Sequence, residues 1–231
     1  MTMNIGYEVS SIILIGLFLA TLVAQLISKK YHPLLYWSVI LSTSTAGTTM
    51  SDYMDRTLGL GYAEGSMILM TCLLAIFAIW RLSESSLSVT DIKTSKVELL
   101  YWITILFSNT LGTALGDFLA DDSGLGFSGG AALIGGLLGL LVMVNFYTKV
   151  SKVFLFWVAF VLTRPFGATL GDVLTKSPEK GGLNFGTVGS SLILVSILVI
   201  FIIYTTVNES RKAQLSMVGN GSTTNRLEYS E

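Results

Sequence analysis

Seven stretches of about 20 consecutive, mostly apolar residues decide what this chain can fold into: about 8 to 28, 34 to 53, 64 to 81, 98 to 118, 128 to 148, 153 to 174 and 186 to 206. A hydrocarbon layer ~30 Å thick takes roughly 20 residues to cross as helix, and a helix satisfies its backbone hydrogen bonds within its own segment, as lipid demands. Runs such as "SSIILIGLFLATLVAQLI" and "SSLILVSILVIFIIY" are continuous and lack the alternation of a barrel strand. With 52% hydrophobic and only 13% charged residues and a mean hydropathy of +0.68, the composition lies outside that of soluble domains. The predicted fold is all-α, a polytopic transmembrane helical bundle of seven spans whose surroundings are the lipid bilayer.

Charge orients the spans. Lys29, Lys30, Arg81, Lys93, Lys96, Lys149, Lys152, Arg211, Lys212 and Arg226 fall in alternate loops and the tail, whereas the opposite loops hold only Arg56, Lys176 and Lys180. The excess of basic residues on one side predicts a cytoplasmic C-terminus and an outside N-terminus, in a cell inner membrane. The polar stretch 207–231 has no apolar periodicity and is predicted to be a disordered cytoplasmic tail after a transmembrane repeat domain of residues 1–206.

Self-similarity organises that domain. "YWSVILSTSTAGTTMSDYMDRTLGLGY" from Tyr36, "YWITILFSNTLGTALGDFLADDSGLGF" from Tyr101 and "FWVAFVLTRPFGATLGDVL" from Phe156 align without gaps. Each places a tryptophan (Trp37, Trp102, Trp157) ten residues before a glycine (Gly47, Gly112, Gly167). An aspartate (Asp52, Asp117, Asp172) follows five residues after that glycine. The repeats run 34–81, 98–148 and 153–206. "NIGYEVSSIILI" from Asn4 resembles "GLGYAEGSMILM" from Gly59, so residues 4–30 read as a half-repeat. With two spans per repeat, successive copies enter the membrane in one direction and are parallel, not inverted. Either the first helix of a four-repeat plan is missing, or the reading frame extends upstream of Met1.

The YW and FW openings, the Gly-Thr-x-x-Ser/Gly-Asp segments and "LTRPFGATLGD" resemble a family of bacterial membrane proteins built from four tandem two-helix repeats of unknown function. The resemblance covers essentially residues 4 to 206 and implies an eight-helix plan, here without its first helix. It implies little about activity.

The first helix of each repeat carries a polar stripe at i, i+4, i+8: Ser44, Thr48, Asp52; Asn109, Thr113, Asp117; Arg164, Ala168, Asp172. These positions share one helix face. Fifteen residues from Trp to Asp are about 22 Å of rise, so the aspartates lie toward the outer side. In the last turn of a helix a carboxylate meets the negative end of the dipole, at a cost of roughly 0.3–1 kcal/mol. A cation, an arginine or a proton compensates it. Arg164 is the only basic residue deep in a span, where burial alone costs at least about 2.5 kcal/mol, and Asp172 or Asp117 is its expected partner. Pro165 is expected to free a backbone carbonyl beside it. Gly47 with Ser51, Gly112 with Gly116 and Gly167 with Gly171 form small-xxx-small pairs that let helices approach closely. The tryptophans and tyrosines read as interfacial anchors.

The functional expectation is a transporter or channel-like permease. Asp52, Asp117 and Asp172 would supply a metal or proton site, with Ser44, Thr48, Asn109, Thr113 and Arg164 along the pathway. Oxygen ligands suit a small hard cation, Mg²⁺, Mn²⁺, Ca²⁺ or H⁺. The alternative is a non-transporting scaffold or complex subunit in which the stripe only binds helices together. No enzymatic role is expected. The single histidine, His32, lies in a loop and the single cysteine, Cys72, in a span, which removes a His/Cys metal site and Ser-His-Asp catalysis. The sequence leaves any cofactor unknown, no basic stripe tracks nucleic acid, and the sequence sets no oligomeric state.

Overall fold

A computed structural model of the chain describes residues 6–28, 32–84, 87, 89, 94–201, 203, 204 and 207. The predicted tail beyond 207, Asn4 and Ile5, and the loop lysines 29, 30 and 93 lie outside the described residues. Seven helices are present among them: α1 Gly6–Ile27, α2 Pro33–Asp52, α3 Tyr62–Ser83, α4 Ser95–Asp117, α5 Gly126–Tyr147, α6 Lys152–Thr175 and α7 Gly186–Phe201. No strand occurs among the described residues. Contacts divide the chain between Leu183 and Asn184 into two units, the second containing α7.

Five of these helices, α1, α3, α4, α5 and α6, are long and apolar enough to cross a membrane. α2 is of similar length but is diluted by Ser42, Thr43, Ser44, Thr45, Thr48, Thr49 and Ser51. Large apolar side chains stand exposed along the helices, among them Ile12, Leu17, Met67, Leu74, Leu140 and Val142. Such exposure would be costly in water and is ordinary where the solvent is lipid.

Two of the aspartates do not stand at helix ends. Past Asp52 and past Asp117 the helix widens into a π-helical turn, Tyr53–Thr57 and Phe118–Asp122. Only Asp172 occupies the last turn of its helix, which stops at Thr175. The expected dipole penalty therefore applies fully to Asp172 alone. After each π turn the repeated Gly-Leu-Gly reverses the chain through left-handed backbone, with φ of 69° and 77° at Gly59 and Gly61 and 76° and 65° at Gly124 and Gly126. A side chain there would clash with its own backbone, which is why glycine recurs at this offset.

The packing order is offset from the sequence repeat by half a unit. α2, α4 and α6 pack in series, α2 on α4 and α4 on α6, and the second helix of each repeat packs on the first helix of the next: α1 on α2, α3 on α4, α5 on α6. The parallel direction of the series shows at its start. Tyr36 meets Trp102 with ring centroids 5.6 Å apart, and its counterpart Tyr101 meets Trp157 at 6.3 Å. These rings are mostly core and not interfacial anchors. Trp80, Trp102 and Trp157 are buried, with only Trp37 exposed. They pack with Phe18, Leu22, Val39, Ala46, Val97 and Ile105 in one cluster, and Trp157 Nε1 donates to the Leu87 carbonyl at 3.0 Å. Aromatic edges fit one another at these distances, which explains the burial that the belt reading missed. Cys72 is a free, half-buried packing residue in α3.

Candidate functional site: the polar seam

α4 is central to the site because α2 and α6 both lie against it. Small residues set the approach. A Cβ on Gly47 of α2 would come within 2.9 Å of Asn109 Cβ on α4. One step on, a Cβ on Gly112 of α4 would overlap Arg164 Cβ on α6, and one on Gly116 would reach Ala168 Cβ at 3.0 Å. The same relation thus recurs: the glycine of one repeat receives the stripe residue of the next. Ser51 takes the small position in α2 and is buried. Among the described residues Gly167 and Gly171 have no atom within 4 Å of an added Cβ. Among the described residues no further helix of the series packs on α6.

This interlocking brings equivalent positions of three repeats together. Arg164 Nε donates to Asn109 Oδ1 at 2.7 Å and Nη2 donates to Ser44 Oγ at 2.5 Å. Ser44, Asn109 and Arg164 are the first stripe positions of α2, α4 and α6. Four residues on, about 6 Å of rise, Thr48 and Thr113 hydroxyls are 3.5 Å apart, and each also donates to its own helix, at the Ser44 and Asn109 carbonyls.

The expected ion pair of Arg164 with Asp172 or Asp117 does not form. Those carboxylates lie two turns farther along, about 12 Å, and helix side chains lean toward the N-terminus, away from them. The Pro165 carbonyl accepts from the Thr169 hydroxyl at 2.9 Å.

At the outer level the three aspartates differ. Asp52 pairs with Arg56 at 3.6 Å and Asp172 with Lys176 at 3.7 Å, both one turn on in the same helix. The residue one turn past Asp117 is Asp121, and among the described residues Asp117 makes no ion pair. It is half-buried, within Coulombic reach of Asp52, Asp172, Asp121 and Arg56. The expected metal cluster of Asp52, Asp117 and Asp172 is not assembled. Among the described residues no three His, Cys, Asp or Glu are arranged to hold a metal ion, because two of the carboxylates are turned to their own i+4 bases.

One acidic residue had no repeat signal. Asp55, where Ala120 and Thr175 stand in the other copies, is buried in the π turn after α2. Ser51 Oγ donates to its Oδ2 at 3.2 Å, while Oδ1 is sealed against Gly65 of α3 without a partner among the described residues. The serine four residues earlier was the only sequence clue. An apolar cleft is lined by Leu73 and Phe77 of α3 and Trp157 and Val161 of α6, and none of the stripe residues lines it.

Each of the three seam helices opens one unit of a known repeat. A family profile described as Repeat of Unknown Function (DUF347) matches residues 35–86, 100–151 and 155–210. The chain belongs to the DUF347 repeat family. Each matched segment opens beside the Trp of α2, α4 or α6 and runs through its Gly and Asp, so the DUF347 unit contains the whole stripe. No curated protein and no solved structure matches the chain.

Proposed function

We propose that this DUF347 chain is a non-enzymatic, proton-coupled permease of the cell inner membrane, with its C-terminus in the cytoplasm and its pathway along the α2–α4–α6 seam. The observation that carries the reading is Asp117, the one stripe carboxylate with no basic residue a turn away. Asp52 and Asp172 each have a base one turn on in the same helix, whereas Asp117 has only the Coulombic reach of Arg56, already the ion-pair partner of Asp52, and can take up a mobile charge. A divalent ion takes six or more oxygen ligands; a proton needs only one carboxylate, which fits a site where a single acid is free. Proton uptake into proteoliposomes tests this, comparing wild type with Asp117→Asn. Loss of uptake in a variant that retains the wild-type thermal midpoint supports the reading, and equal uptake in both refutes it.

The scaffold reading draws on a different observation. Arg164 ties α2, α4 and α6 through two hydrogen bonds, which is how polar residues hold helices together in lipid. A strongly associated membrane partner, together with wild-type liposomes no leakier than empty ones, favours it.

A further inference from the structure

Arg164 has five N–H donors and spends two of them, both on neutral acceptors. No carboxylate pairs with it among the described residues, so its charge in mid-span has no counter-charge. Arginine cannot accept a hydrogen bond, so Asn109 must present its carbonyl oxygen to Nε. This turns the two Nδ2 hydrogens elsewhere, and they too have no partner among the described residues. Ser44 receives Nη2 on its lone pair and keeps its own proton available. Neither Arg164 Nη1 nor Asn109 Nδ2 is sealed in the packing. α2 and α6 pack on α4 but have no extensive packing with each other among the described residues, so the guanidinium reaches from α6 across α4 to α2. The unspent hydrogens at this level are those of Arg164, Asn109 Nδ2 and Ser44 Oγ, and the stripe carboxylates Asp52, Asp117 and Asp172 stand two helical turns away.

We propose that Arg164, Asn109 and Ser44 form a binding site for a monovalent oxyanion of the carboxylate class. One guanidinium balances one charge, and its planar fork matches the two oxygens of a carboxylate. Asn109 N–H and Ser44 O–H complete the donor set, and Gly112, which has no Cβ, lets the Arg164 side chain cross α4 to reach it. This deepens the permease reading by naming its cargo, a small organic acid anion, and rests on that reading only for movement; binding stands without it.

The test is therefore binding to the purified full chain in detergent, read as the thermal midpoint against acetate, with chloride at matched ionic strength. Flux is not involved, so failure here and failure of the permease reading are separable. Wild type is expected to rise by a few degrees, saturably, with acetate more than with chloride. Arg164→Gln should bind acetate about tenfold more weakly or worse. Should Arg164→Gln fail to fold, Asn109→Asp decides: it gives the guanidinium a built-in carboxylate, so the chain should fold and lose the acetate response. No acetate response in wild type, an equal response to chloride, or a wild-type response retained in Asn109→Asp overturns the proposal.

Discussion

Gly112 and Gly167 occupy the same place in consecutive repeats, and replacing each by alanine is expected to change stability in opposite directions. In an exposed helix interior Gly→Ala stabilises by about 1 kcal/mol, because the backbone loses less entropy on folding. At Gly167 nothing among the described residues lies within 4 Å of the added methyl, so that gain is expected nearly whole. At Gly112 the methyl overlaps Arg164 Cβ and comes within 3.2 Å of its Cγ and 3.3 Å of Pro165 Cδ. None of these is the free end of a flexible chain. Relief requires α4 and α6 to separate, an overpacking strain of about 1–3 kcal/mol. The separation also moves Arg164 from Asn109 and Ser44, and each lost hydrogen bond to a charged group costs about 1.5–3 kcal/mol. The net for Gly112→Ala is destabilisation by about 2 kcal/mol or more, against stabilisation by up to about 1 kcal/mol for Gly167→Ala. In a chain of this size 1 kcal/mol moves the midpoint by about 2–4 °C. Thermal unfolding of the detergent-solubilised variants reads both. A Gly112→Ala midpoint equal to or above wild type would refute the interlocked seam.

Three further outcomes are expected. Asp121→Lys gives Asp117 the i+4 base that Asp52 and Asp172 already have, and should reduce proton uptake as severely as Asp117→Asn while leaving the fold intact; proteoliposome uptake beside the thermal midpoint checks both halves. Gly65→Ala places a methyl against Asp55 Oδ1 and should destabilise by about 1–3 kcal/mol, an effect that shrinks when Asp55 is already alanine, so a double-mutant cycle on unfolding free energies should show coupling. Reporter fusions after residue 90 and at the C-terminus should both signal from the cytoplasm; an outside signal from either overturns the orientation.

The candidate site was partly legible in the chain. The stripe residues followed from helical spacing, and the i+4 partners Arg56, Asp121 and Lys176 stood in plain sight; their pattern alone singles out Asp117, yet treating the three repeats as equivalent hid it. Asp55 was hidden for the converse reason, having no counterpart in the other copies. The partners of Arg164 were not legible, because a long side chain can lean either way along its helix and only the packed neighbours say what it meets.

The sequence by itself determined the elements. Continuous apolar length, the helical period and the Trp-Gly-Asp spacing recur along the chain and need no tertiary partner to be recognised, because backbone bonding in lipid is settled within each helix. The Gly-Leu-Gly reversals are equally local, since positive φ is a property of one residue. Tertiary structure decided the rest: that α3 packs on α4 and α5 on α6, that Trp80, Trp102 and Trp157 are core, that Gly112 is filled by Arg164 while Gly167 meets no atom of the described residues, and that Arg164 bridges Ser44 and Asn109. Each of these depends on which helix faces come together, and packing between helices in lipid is set by close van der Waals fit and a few polar bonds, which no single helix carries.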